Sequence, residues 1–143
     1  MQAHGEAIDM GFKKVLIIDD DRDFCYELKE YLLLSNYDAI AINDSKLALD
    51  AARSILPDVI LLDMKMEDED GFVVAQKLKG SPETSAIPII VITGYFNAEE
   101  DLSLMKMCGI KYRLNKPVNP ADIISSIEML PSRQDGLSSK EGK

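Results

Sequence analysis

The apolar positions of the chain fall into short unbroken blocks, separated by stretches with helical spacing. Lys14-Val-Leu-Ile-Ile18 is a β-branched run without alternation, the pattern of a strand buried on both faces of a parallel sheet. Asp58-Val-Ile-Leu-Leu62 and Ile87-Pro-Ile-Ile-Val-Ile92 have the same character, each with a proline at its entrance, where a missing N–H is tolerated. Tyr37 to Ile42 and Lys111 to Leu114 are weaker strands, whose polar residues suit the edges of a sheet. Between the first two strands, Phe24, Leu28, Tyr31 and Leu32 form one apolar stripe at i, i+4, i+7 and i+8. Ala48, Ala51, Ala52 and Ile55 repeat that spacing before Pro57 stops the helix. A third helix is expected from about Phe72 to Lys79, ending at Gly80. A fourth begins at Asn97, whose side chain caps it while Glu100 reaches back, and stops at Gly109. Its core stripe reads Ala98, Leu102 and Met105, with Leu104 and Met107 outside it. The last helix has Asn119 as cap, Pro120 at its first position, and Ile123, Ile127 and Leu130 down one face.

Strict alternation of five strands with five helices, joined by short connections, predicts an α/β fold. The expected form is a flavodoxin-like doubly wound (βα)5 with a five-stranded parallel sheet in the order 2-1-3-4-5. In such a sheet a ligand binds beyond the carboxyl ends of the strands, at the switch point between the first and third. Residues 1–12 form an N-terminal extension and 131–143 a polar C-terminal tail, leaving one domain over 13–130.

Composition narrows the function classes. A length of 143 residues with 46% apolar content suits one ordinary domain. A net charge of −9 argues against direct binding to nucleic acid, because nothing here blankets a phosphate backbone. The longest apolar runs are about four to five residues, against the roughly 20 that span a bilayer. Residues 1–10 carry Glu6 and Asp9 and lack the apolar block of a secretory signal, so Cys25 and Cys108 are expected to be reduced thiols of a cytoplasmic protein.

The chemistry lies at the strand ends. The first strand runs into Asp19-Asp20-Asp21, the third into Asp63, the fourth into Thr93-Gly94, and the fifth is followed by Lys116-Pro117. Carboxylates converging from two adjacent strands repel one another unless a cation intervenes. Mg²⁺, which takes oxygen ligands and keeps several waters, suits a small acidic pocket, with Asp19 and Asp20 as its holders. A lysine ammonium and a threonine hydroxyl aimed at the same place make sense if a phosphoryl group is held there. Asp63 is then the nucleophile that accepts it, while metal and lysine neutralise the developing charge.

With these residues in view, the chain resembles the receiver domain of two-component response regulators over nearly the whole span from Lys13 to Leu130. The acidic pair Asp19-Asp20, Asp63 within Val-Ile-Leu-Leu-Asp-Met-Lys-Met, Gly71, Thr93 and Lys116-Pro117 carry the likeness. The resemblance implies Asp63 as phosphoacceptor and Mg²⁺ held by Asp20, Asp63 and the backbone carbonyl of Lys65, with Asp19 acting mainly through water. It implies a cis peptide at Lys116-Pro117. It also implies a sensor histidine kinase or histidine phosphotransfer protein as donor. Output would pass to a downstream protein partner, or to an output domain outside this chain, and a homodimer through the fourth helix, fifth strand and fifth helix is a further implication.

Two departures from that family's pattern stand out. Glu67, four residues after the phosphoacceptor, replaces a usual proline and opens the run Glu67-Asp68-Glu69-Asp70, either a solvated loop or a docking surface for a basic partner. Arg113 stands three residues before the lysine, where an aromatic residue or histidine is usual, and Tyr112 falls on the opposite face unless the strand carries a bulge. Arg113 then either swings itself, leaves transmission to Thr93 and its loop, or is a plain edge-strand arginine. Lys65 and Tyr95 occupy the positions two beyond the phosphoacceptor and two beyond the threonine, which the resemblance implies influence loss of the phosphoryl group, with Tyr95 as a shield against water.

Two other classes compete. A haloacid-dehalogenase-like phosphatase also uses an aspartate after its first strand and an acidic Mg²⁺ site, but Asp23 stands where that family wants Thr or Val. A flavin-binding fold needs a Ser-, Thr- and Gly-rich phosphate loop after the first strand, and here that loop is acidic.

Overall fold

The computed structural model describes residues 11–67, 69–94 and 98–131, apart from the side chains of Ala98 and Glu100. Along the chain run β1 (Lys14–Ile18), α1 (Arg22–Leu34), β2 (Asp38–Ile42), α2 (Ala48–Ile55), β3 (Val59–Asp63), α3 (Gly71–Lys79), β4 (Ile89–Thr93), α4 (Ala98–Met107), β5 (Tyr112–Asn115) and α5 (Pro120–Met129). All strand pairs are parallel and the sheet order is β2-β1-β3-β4-β5, so β2 and β5, the two polar strands, are its edges.

The unbroken apolar runs exist because both faces of the sheet are covered. Leu16, Ile18, Ile60, Leu62, Ile89 and Val91 face α2, α3 and α4, whereas Val15, Ile17, Val59, Leu61, Ile90 and Ile92 face α1 and α5. Each such side chain, when fully buried, contributes about 1.5 to 3 kcal/mol relative to exposure.

Helix ends follow local chemistry. Asp21 caps α1 by accepting from the Phe24 N–H, and Asn119 caps α5 by accepting from the Ala121 N–H, with Pro120 at the first turn. Gly109, just past α4, sits at φ +70°. The helix before Pro57 stops as expected, after Ile55: Leu56 adopts φ +50° and its N–H returns to the Ala52 carbonyl. A residue preceding proline is pushed out of the right-handed helical region, which places the break at Leu56 itself.

Two helical stripes differ from their expected membership. In α1 the buried face is Cys25, Leu28 and Leu32, with Phe24 half-buried against it, while Tyr31 points outward. In α4 Leu102 is exposed and Met105 buried, while Leu104 packs against the core and Asp101 is buried. A ten-residue amphipathic helix beside a sheet end is set by tertiary contacts as much as by spacing. Met107 is exposed, as its position off the stripe implies. Asn97 as cap, the side chain of Glu100, and the termini 1–10 and 132–143 lie outside the described residues.

Candidate functional site

Four strand ends deliver the site residues to one rim. Asp19 follows β1 and is still held in the ladder, its N–H donating to the Ile42 carbonyl at 3.1 Å. Asp63 is the last residue of β3, Thr93 the last of β4, and Lys116 follows β5. The Lys116 N–H donates to the Thr93 carbonyl at 2.8 Å, and the Lys116-Pro117 peptide is cis, as expected. Gly71, at the start of α3, lies against the end of β3, with its N–H donating to the Met64 carbonyl at 3.0 Å. A Cβ there would run into the Asp63 carbonyl oxygen and lie 2.6 Å from Met64 Cα, so only glycine lets α3 start this close to the site.

Asp19, Asp20 and Asp63 each present a carboxylate oxygen, and these oxygens lie within 4.8 Å of one another. Asp19 and Asp63 are 2% and 6% exposed, whereas Asp20 is half-buried. The Lys116 ammonium donates to Asp19 Oδ2 at 2.8 Å and stands 3.8 Å from Asp63 Oδ2. Its other flank is the ring of Phe24, 4.3 Å from nitrogen to centroid. The Lys65 N–H donates to Asp63 Oδ1 at 3.2 Å, and Lys65 is bridged to Asp70 across the loop after β3. Thr93 is buried on the same rim.

Burial, and after it the charge of Asp19, pushes the Asp63 carboxyl up to about 6, although the Lys65 N–H and Lys116 pull the other way. For Lys116 burial acts to lower the value, but the hydrogen bond and charge of Asp19 and the charge of Asp63 outweigh it, so the amine holds its proton more tightly than usual. The donor set of the three carboxylates is therefore all hard oxygen, and the Lys116 ammonium pairs with two of them, Asp19 and Asp63. Such a cluster fits a small divalent cation such as Mg²⁺ and offers zinc no soft ligand.

The structure thus brings together Asp19, Asp20, Asp63 and Lys116, with Thr93 and the Lys65 backbone beside them. It resolves the departures as follows. The β4–β5 pairing is one-to-one from Ile90 opposite Tyr112 to Thr93 opposite Asn115, with no bulge. Tyr112 therefore packs with Leu114 on the α1 and α5 side, and exposed Arg113 donates to Asn115 Oδ1 at 2.7 Å on the other. The acidic run is more than solvated charge. Asp70 caps α3 by accepting from the Phe72 N–H at 2.8 Å, and Glu69 pairs with Lys77 at 2.8 Å. The Glu67 N–H donates to Asp20 Oδ2 at 2.8 Å, a bond that proline in its place would lack. Asp68 and Tyr95 lie outside the described residues.

Sequence reasoning missed Phe24 as neighbour of the lysine, and it missed Asn43. The Asn43 amide donates to the Asp19 carbonyl at 2.9 Å and to Cys25 Sγ at 3.3 Å, while Arg22 donates to Asn43 Oδ1 at 3.2 Å. Cys25 itself donates to the Asp19 carbonyl, and burial, reinforced by Asp19, pushes its thiol up to about 12. The signal for Asn43 was available: it follows the second strand as Asp19 follows the first, and every strand end of this sheet points to the same rim.

A family model described as response regulator receiver domain matches residues 15–128. Response regulator PleD of Caulobacter vibrioides is 31% identical over 117 residues, covering 82% of this chain and 26% of PleD. Protein PilH of Pseudomonas aeruginosa is 31% identical over 114 residues, covering 80% of this chain and 93% of PilH. The structure of the chemotaxis protein CheY4 of Vibrio cholerae superposes with a TM-score of 0.77 at 25% identity, covering 82% of this chain and 97% of that one. The phosphatase and flavin readings are not favoured by these likenesses.

Proposed function

The chain belongs to the response regulator receiver domain family, and from that premise we propose that Asp63 accepts a phosphoryl group from a phosphohistidine. The donor is a sensor histidine kinase or a histidine phosphotransfer protein. A carboxylate oxygen of Asp63 attacks phosphorus, the P–N bond to the donor imidazole breaks with its electron pair going to nitrogen, and an aspartyl phosphate results. Asp19, Asp20, Asp63 and the Lys65 carbonyl would hold Mg²⁺, whose charge offsets that of the phosphoryl oxygens. Lys116 and the Thr93 hydroxyl then engage the new oxygens.

The observation that supports this reading best is the shared ammonium: Lys116 reaches Asp19 at 2.8 Å and Asp63 at 3.8 Å across the mouth of the acidic cluster. A lysine so placed neutralises charge as it builds on an oxygen at Asp63. Adding roughly −1.5 to −2 charge units, as phosphorylation of other side chains does, shifts a loop equilibrium that a partner senses. The chain is a phosphoacceptor rather than a turnover enzyme. It acts as one receiver unit over 13–130, flanked by 1–12 and 131–143. Its output is a protein contact or a further domain, its setting the cytoplasm, and a homodimer would form through α4, β5 and α5.

Incubation with Mg²⁺ and a small acyl phosphate, followed by borohydride trapping and mass mapping, tests the assignment. Modification at Asp63 in the wild type and none in Asp63→Asn is expected. Modification elsewhere, or none at all, would overturn it.

A further inference from the structure

We propose that Phe24 is a positioning residue for Lys116, its ring serving as the seat from which the ammonium is presented to the phosphoryl group on Asp63. This rests on the reading of Asp63 as phosphoacceptor. Around the Lys116 nitrogen the two carboxylates, Asp19 at 2.8 Å and Asp63 at 3.8 Å, are joined by the Phe24 ring centroid at 4.3 Å. A ring face attracts a cation without offering a directional acceptor. Lysine has a flexible four-carbon stem and a strongly hydrated head, so an amine with open space beside it would take up water there. The ring fills that space and keeps the N–H donors for oxygen.

The ring's own position is fixed by the turn that supplies the acids. Asp21 accepts from the Phe24 N–H at 3.1 Å as the cap of α1, and its own N–H donates to Asp19 Oδ1 at 2.9 Å. The ring is half-buried against the core layer under α1 and α5. Asp19, the helix cap and the seat of the amine are therefore one rigid piece of chain. When oxygens are added at Asp63, the ammonium has to turn from Asp19 towards them. A ring surface lets it pivot without surrendering a hydrogen bond on that flank. Leucine at 24 would keep the apolar packing and lose the attraction; tyrosine would keep both.

Two measurements on the full chain test this, using wild type, Phe24→Leu and Phe24→Tyr. The first is exchange of the Lys116 ammonium protons with solvent, followed by nitrogen-15 NMR in chelator-treated protein. The second is the rate of Asp63 labelling by a small acyl phosphate with Mg²⁺. Phe24→Leu should exchange faster and label about threefold to thirtyfold more slowly, the span of cation–π strengths from exposed to desolvated sites. Its thermal unfolding should stay within a few degrees of wild type, and Phe24→Tyr should restore both readings. Wild-type exchange and labelling in Phe24→Leu, or failure of Phe24→Tyr to restore them, would overturn the proposal. Absence of labelling in the wild type would instead remove the phosphoacceptor reading beneath it, so the two failures are distinct.

Discussion

Asp63 is buried beside a second carboxylate, and its ordinary preference for ionisation is weakened to a value of about 6. A carboxyl raised in the folded state binds its proton more tightly there than in the unfolded chain. Its relative stabilisation is therefore complete below the unfolded value near 4 and is lost as pH rises through about 6. Above that pH the protein carries an ionised group that burial disfavours. Urea unfolding in the presence of chelator should show the wild type falling behind Asp63→Asn as pH rises from 4 to 7, by about 1 to 3 kcal/mol. Adding Mg²⁺ at pH 7 should recover stability in the wild type more than in the variant. Parallel pH profiles for the two proteins would contradict the electrostatic account. The acids, the lysine and the threonine of this site were legible because each ends a strand block or follows one directly. Phe24 was not, because its role depends on which side chain lies across the rim, and a linear pattern does not carry that; Asn43 carried the same strand-end signal and was overlooked.

At the scale of elements, the loop from β3 to α3 is tied to the β1–α1 turn by a hydrogen bond from the Glu67 N–H to Asp20 Oδ2. Groups that orient a metal ligand from behind typically alter affinity about 10- to 100-fold when removed. Glu67→Pro, which deletes the N–H, should weaken Mg²⁺ binding by roughly tenfold. Glu67→Ala, which keeps it, should differ from wild type only by a screened surface charge. Isothermal titration of both variants checks the order; equal affinities would show that the bond has no part in holding Asp20. Strands and helices themselves were read well, because both faces of the sheet demand unbroken apolar runs and the caps at Asn119 and Gly109 have a chemical signature. The membership of helical stripes was read less well. Leu102 and Tyr31 fit the 3.6-residue period yet face outward, since which arc of a helix meets the sheet is decided by neighbouring elements. The contacts of Asp70 and Glu69 were not legible for a similar reason: capping by Asp70 and the pairing of Glu69 with Lys77 depend on where α3 begins.

For the whole molecule, topology explains why chemistry gathers on one rim. The sheet order β2-β1-β3-β4-β5 reverses direction between β1 and β3, which opens a crevice beyond their carboxyl ends where Asp19, Asp20 and Asp63 meet. A chain of net charge −9 with carboxylates crowded there is held together against its own repulsion. Raising monovalent salt from about 0.01 M to about 1 M shortens the screening length from about 30 Å to about 3 Å. In chelator-treated protein this should raise the melting temperature by several degrees, and calorimetry that finds a decrease would refute the argument. The amide of Lys116 donates to the carbonyl of Thr93, so the amine and the hydroxyl are carried on one lever. Both side chains would act on the same oxygens, so the second loss falls on a site the first has already impaired, and such damage is epistatic rather than cumulative. A chain bearing both Thr93→Ala and Lys116→Ala should label Asp63 about as slowly as the worse of the two singles, so that repairing the milder position alone would recover little.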